Sequence, residues 1–109
     1  YDRFGRVAIV TGSPGGPVII NYVAKSLLAI IDWKLDPQAA ADLPNFGSRN
    51  GPTELEQGTS VESAAGALKA LGHDVRSVVL TSGLHGIQRN GKYWHSGTDP
   101  RREGVASGE

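Results

Sequence analysis

Apolar residues fall along the chain in blocks of changing period. "RVAIVTG", Arg6 to Gly12, is dense in Val and Ile with little alternation, the pattern of a strand buried on both faces. After the short "SPGG", Ile19, Tyr22, Val23, Leu27, Ile30 and Ile31 recur near a 3.6-residue period, with Asn21, Lys25 and Asp32 as a polar stripe. That spacing predicts a largely covered helix to about Trp33, with Pro17 in its first turn.

Asp36 is placed to cap a short helix that opens at Pro37 and breaks at Pro44. A long surface loop, Pro44 to Pro52, is expected next, because Gly47, Asn50, Gly51 and Pro52 interrupt every period. "TELEQG" reads as a short strand. Thr59 and Glu62 have capping-box spacing ahead of Val61, Ala64, Ala65, Leu68 and Leu71, and Gly72 closes that helix. "DVRSVVLTS", Asp74 to Ser82, has strand composition, and Asn90-Gly91 joins two further strand-like arms into a hairpin. The tail from Thr98 is loop-like. No repeat or internal domain boundary is visible.

Length and charge narrow the function. The chain has 109 residues, one domain's worth, and its 11 basic residues balance 11 acidic ones, so no basic nucleic-acid surface is indicated. The apolar run from Pro17 to Trp33 is too polar for a membrane span. Without cysteine there are no disulfides, zinc thiolates or cysteine nucleophile, and the redox compartment stays open. Methionine is absent and the first residue is Tyr1, as expected of a processed chain or a piece of a longer one.

The candidate chemistry centres on "TGSPGG", Thr11 to Gly16. One reading is a tight turn whose glycines merely permit positive φ. A phosphate loop is disfavoured, since Pro17 and Val18 stand where Gly-Lys-Ser/Thr is required, and the dinucleotide spacing is missing too. Amides exposed at a helix start can also donate to the oxyanion of an acyl-transfer reaction, which makes Gly15 and Gly16 the candidate donors.

Other candidates are weaker. Thr59 is explained by its capping box, and Thr11 has no free amine. His73, His85 and His95 lie on three different predicted elements, a poor start for a metal site. No Gly-x-Ser-x-Gly elbow occurs. Asp99, Arg101 and Arg102 form a loop cluster expected to be solvated rather than to react.

"GSPGG" after a strand, the apolar helix, "TELEQG", "LKALGHDV" and a terminal "DPRREGVASG" follow one another in an order that resembles the C-terminal part of the small subunit of a gamma-glutamyltransferase, over nearly the whole chain. The resemblance implies an α+β fold, part of an αββα sandwich of the N-terminal nucleophile hydrolase type, assembled from two subunits after autocatalytic cleavage. Residues 1–109 would then be the C-terminal portion of the small subunit.

In that family the nucleophile is a threonine at the start of the small subunit, its own α-amine can serve as base, and a glycine pair forms the oxyanion hole. By motif, that pair is Gly15 and Gly16 here. Tyr1 is not threonine, so the nucleophile and the serine and aspartate residues that recognise a gamma-glutamyl group are expected in upstream sequence. The resemblance implies no cofactor; its partners are the large subunit, the upstream part of the small subunit and a gamma-glutamyl substrate. It also implies a periplasmic or secreted enzyme. A related acylase cleaving glutaryl side chains is the nearest rival, and a catalytically silent scaffold or binding module is the alternative of another class.

Overall fold

The structure is a computed structural model, and it describes residues 1–108. Two three-stranded sheets and three helices follow from the sequence blocks. Strand β1 (Ile9–Gly12) leads through a 3₁₀ turn (Gly16–Val18) into α1 (Ile19–Ile31), then α2 (Pro37–Asp42), β2 (Phe46–Gly47) and β3 (Thr53–Glu56). A second 3₁₀ segment (Ser60–Ala64) precedes α3 (Ala65–Ala70), β4 (Val75–Val78), β5 (His85–Asn90) and β6 (Tyr93–Thr98).

The first sheet has order β1-β5-β6 and is antiparallel throughout; the second has order β2-β3-β4, with β3 and β4 parallel. A parallel pair needs a crossover, which the α3 segment supplies. Pairing of β1 with β5 brings the start of the chain to its last third, Ile9 opposite Gln88 and Gly12 opposite His85. Asp2 reinforces this closure: its carboxylate takes a 2.7 Å bond from Arg89 on β5. Hydrogen bonding, first from the Arg6 amide, lowers the Asp2 pKa to about 2.

Helices α1 and α2 cover the first sheet. Ala29 and Ile30 pack on Ala40 with Ile9, Leu35 and Leu43 around them. Tyr22, Ala41 and Leu84 form a second cluster, flanked by Val18 and Leu80. Asp36 caps α2 as its sequence predicts, accepting from the Ala39 amide at 2.8 Å. The end of α3 closes in a Schellman pattern, with the His73 amide donating to Leu68 O and the Gly72 amide to Lys69 O.

Several local expectations are corrected. Strand β1 is not buried on both faces. It is an edge strand with alternating burial, and Val10 is 52% exposed, because only one of its faces meets α1. The covered face of α1 keeps Tyr22 and Ile30 as predicted but also takes in Lys25 and Ser26, whereas Ile31 is exposed, as are Ile20 and Leu28 outside the predicted stripe.

The Thr59–Glu62 capping box does not form. Glu62 accepts from the Gly58 amide, Thr59 Oγ1 donates to Glu56 O, and the segment starts as 3₁₀. The 44–52 stretch is not all surface loop, since it contains β2 and the fully buried Asn45. In the hairpin, Asn90 pairs with Tyr93, so the two-residue turn is Gly91-Lys92, one position later than expected.

Candidate active site

The glycine segment occupies the junction between the exposed end of β1 and the start of α1. Gly15 has φ 147° and Gly16 φ 56°, both in the region that disfavours side chains. Among the described residues neither amide donates to a backbone carbonyl or a side chain. Two consecutive N–H groups are thus left free beside a helix start, where the helix dipole favours negative charge.

The two positions differ in their surroundings. A Cβ on Gly15 would lie 2.8 Å from the Tyr22 ring, whereas one on Gly16 would meet nothing within 4 Å. Gly15 borders an open cleft of about 430 Å³, whose walls include Tyr22, Arg49, Glu54, Thr81 and Arg102. Arg49 comes from the 44–52 segment, in which no ligand-facing residue is anticipated from sequence. It lies 3.8 Å from Glu54, a loose pair with half of the arginine exposed.

Beneath this surface is a buried polar network that joins the two sheets. Arg101 uses all five of its guanidinium N–H groups. It binds Glu56 with Nε and Nη2, Asp99 Oδ1 with Nη1 at 3.0 Å, and the carbonyls of Ala41 and Leu43 at 3.1 Å each. Asp99 Oδ2 accepts from the Ser82 hydroxyl and from the Leu84 amide at 3.1 Å. Ser82 in turn accepts from Asn45 Nδ2 at 2.8 Å, and Asn45 Oδ1 accepts from Lys25 Nζ at 3.0 Å. Lys25 and Arg101 balance Glu56 and Asp99, so the cluster is neutral, and among the described residues no buried side-chain polar atom lacks a partner.

The ionisation of these groups follows from their surroundings. Burial alone would raise the Asp99 pKa, but the hydrogen bonds from Ser82, the Arg101 and Leu84 amides and the Arg101 side chain outweigh it and lower the value. Lys25 moves the opposite way for a base: burial, helped by the nearby Arg101 charge, pulls it down to about 8.

The expected solvation of Asp99 and Arg101 is therefore corrected. They anchor the tail from inside, and only Arg102 of the three is exposed, its Nε donating to Thr81 O at 3.1 Å. Lys25, Asn45, Glu56 and Ser82 were not legible as a cluster. The single hint is that Lys25 is the one charged residue between Ile19 and Ile31.

The histidines do not converge. His73 faces Thr53, His85 contacts the Gly83 carbonyl at 3.0 Å and His95 pairs with Gln88 on the hairpin. Among the described residues no group of three or more His, Asp or Glu is placed to hold a metal, and no helix is long and apolar enough to cross a membrane.

A sequence model of the family described as Gamma-glutamyltranspeptidase matches residues 2–109. The Acylase ACY 1 proenzyme of Pseudomonas sp. (strain V22) is 34% identical over 87 residues, covering 79% of this chain and 15% of that protein. Among solved structures, gamma-glutamyltranspeptidase from Pseudomonas nitroreducens superposes with a TM-score of 0.84 at 24% identity, over 100% of this chain and 59% of that one. Cephalosporin acylase from Bacillus halodurans gives 0.73 at 29% identity, over 84% of this chain and 18% of that one. The chain thus spans a minor part of the curated relatives and somewhat over half of the transpeptidase chain, with a shared α+β fold of the N-terminal nucleophile hydrolase type.

Proposed function

Because the chain belongs to the gamma-glutamyltranspeptidase family, we propose that it is the C-terminal portion of a small subunit and supplies the oxyanion donors, Gly15 and Gly16, of a larger acyl-transfer enzyme. The observation that carries this reading is the pair of unpartnered glycine amides at the β1-to-α1 junction, both at positive φ.

A threonine hydroxyl from upstream sequence attacks the gamma-amide carbonyl of a glutathione-type donor, and its proton passes to that residue's own α-amine. The carbonyl oxygen becomes an oxyanion and takes hydrogen bonds from the Gly15 and Gly16 amides. Collapse of the tetrahedral intermediate breaks the C–N bond, the departing amine takes the proton, and an acyl-threonine remains. Water or an amino-acid amine then attacks this ester through a second oxyanion at the same place, which regenerates the threonine. Substrate recognition rests on the upstream residues and the large subunit, so the 1–109 segment alone is inactive. By family resemblance alone, the complete enzyme would act in the periplasm or outside the cell.

The test contrasts the two glycines in the complete, matured enzyme. Gly16→Ala faces open space and bears only the left-handed backbone cost of about 1–2 kcal/mol, so the protein folds. Its Cβ intrudes on the side where the acyl carbonyl is received, and kcat per folded, processed enzyme should fall about 100-fold or more. Gly15→Ala, driven against Tyr22 at 2.8 Å, should lose stability as well. Parental kcat in folded Gly16→Ala would refute the assignment.

A second reading is favoured by one observation: identity to the acylases, 34% and 29%, exceeds the 24% to the Pseudomonas nitroreducens transpeptidase. A glutaryl-type acylase would use the same donors on a different acyl group. Comparing turnover of a gamma-glutamyl anilide with that of a glutaryl anilide decides between them.

A further inference from the structure

We propose that Ser13 is a positioning residue that sets the Gly15–Gly16 amides against the buried network, an inference that rests on the acyl-transfer reading above. Ser13 Oγ donates to the Pro14 carbonyl at 2.8 Å and accepts from the Gly83 amide at 3.0 Å. Its hydroxyl is the hydrogen-bonded tie between the glycine segment and the 82–84 stretch that leads into β5.

That stretch is itself held firmly. Ser82 and Leu84 both bind Asp99 Oδ2, on either side of Gly83. Gly83 lies so close to the glycine segment that a Cβ there would come within 2.9 Å of Pro14 Cγ and of Arg102 Cδ. The Gly83 backbone thus lies against the Pro14 ring, and one hydroxyl fixes the register of the two segments.

Removing the hydroxyl leaves the Gly83 amide without its acceptor and frees the Pro14 peptide, two residues before Gly16. Oxyanion donors act only within about 2.7–3.1 Å of the developing charge, and a misplacement of about 1 Å costs on the order of a hundredfold in rate. Ser13 therefore acts through geometry and touches no reacting atom.

The experiment uses the complete, matured enzyme with Ser13→Ala, Ser13→Thr and Gly16→Ala. Ser13→Ala should lower kcat about 10- to 100-fold with KM for the acyl donor within threefold. It should weaken a boronic-acid analogue of the acyl group, which forms a tetrahedral anion on the nucleophile, by the same factor as kcat. Ser13→Thr, which keeps the hydroxyl, should restore most of both. If Ser13→Ala does not mature, Ser13→Cys, with its weaker acceptor, takes its place and should show an intermediate loss.

Equal loss in Ser13→Ala and Ser13→Thr, or a kcat loss without loss of boronate affinity, overturns the proposal. Parental kcat in Ser13→Ala beside a defective Gly16→Ala overturns it and leaves the acyl-transfer reading standing. Parental kcat in both variants removes the reading of the glycines together with it.

Discussion

Asp99→Asn is the sharpest perturbation of the buried network, because it changes one atom and no volume. Asp99 Oδ1 receives two N–H groups from Arg101, both at 3.0 Å, and Oδ2 receives the Leu84 amide at 3.1 Å and the Ser82 hydroxyl. An asparagine turns one of these acceptors into a donor. Aimed at Arg101, its NH₂ meets two donors; aimed at Oδ2's place, it meets the Leu84 N–H.

Either orientation strands at least one buried donor, worth about 1–3 kcal/mol. The carboxylate charge is lost as well, leaving the four-charge cluster one positive charge in excess. Breaking a buried pair from one side costs about 3–5 kcal/mol, a figure that already includes the stranded donor. Glu56 still holds the guanidinium with two bonds, which sets the expectation at the lower end, about 3 kcal/mol.

Hydrogen exchange at the Leu84 amide in the complete enzyme reads this locally. Exchange should accelerate about a hundredfold or more, since each tenfold corresponds to about 1.4 kcal/mol. The parent carries a further mark of the carboxylate. Its lowered pKa gives stabilisation that is present above the ordinary carboxylate range and is lost as pH falls through the lower, folded value. The variant should lack that acid dependence. Leu84 exchange within threefold of the parent would show that the carboxylate does not hold this segment.

Two further outcomes are expected. Lys25 titrates near 8 in the fold against 10.5 in the unfolded chain, so between about pH 8 and 10 the unfolded state binds more protons and stability rises with pH, by up to about 1.4 kcal/mol per unit. Urea unfolding of the complete enzyme at pH 8, 9 and 10 should show that slope, and Lys25→Met should abolish it; an equal slope in both assigns it elsewhere. The separate 1–109 segment should release no product from a gamma-glutamyl anilide, while binding an apolar-surface dye through the exposed Ile20, Leu28 and Ile31 of α1. Turnover by the purified segment would defeat the first expectation, and dye binding no greater than that of the complete enzyme the second.

Local chemistry made much of the molecule legible in the sequence. Asp36-Pro37, Gly72 and the glycine-containing hairpin act through the backbone within a few residues, so α2, the end of α3 and the β5–β6 pair follow from composition alone. The order of "GSPGG", "TELEQG" and "DPRREGVASG" likewise carried the family. What required the tertiary structure is every feature set by distant partners. Lys25 reads as one member of a polar stripe, yet it is buried because Leu43 O and Asn45 Oδ1 accept its three-donor head. Asn45 reads as loop but is enclosed by Glu56 and Ser82, and Asp99 and Arg101 read as solvated but close the network across 45 residues of sequence to Glu56. A polar side chain can be buried only where its complement already waits, and pairing over such separations leaves no period in the sequence to read.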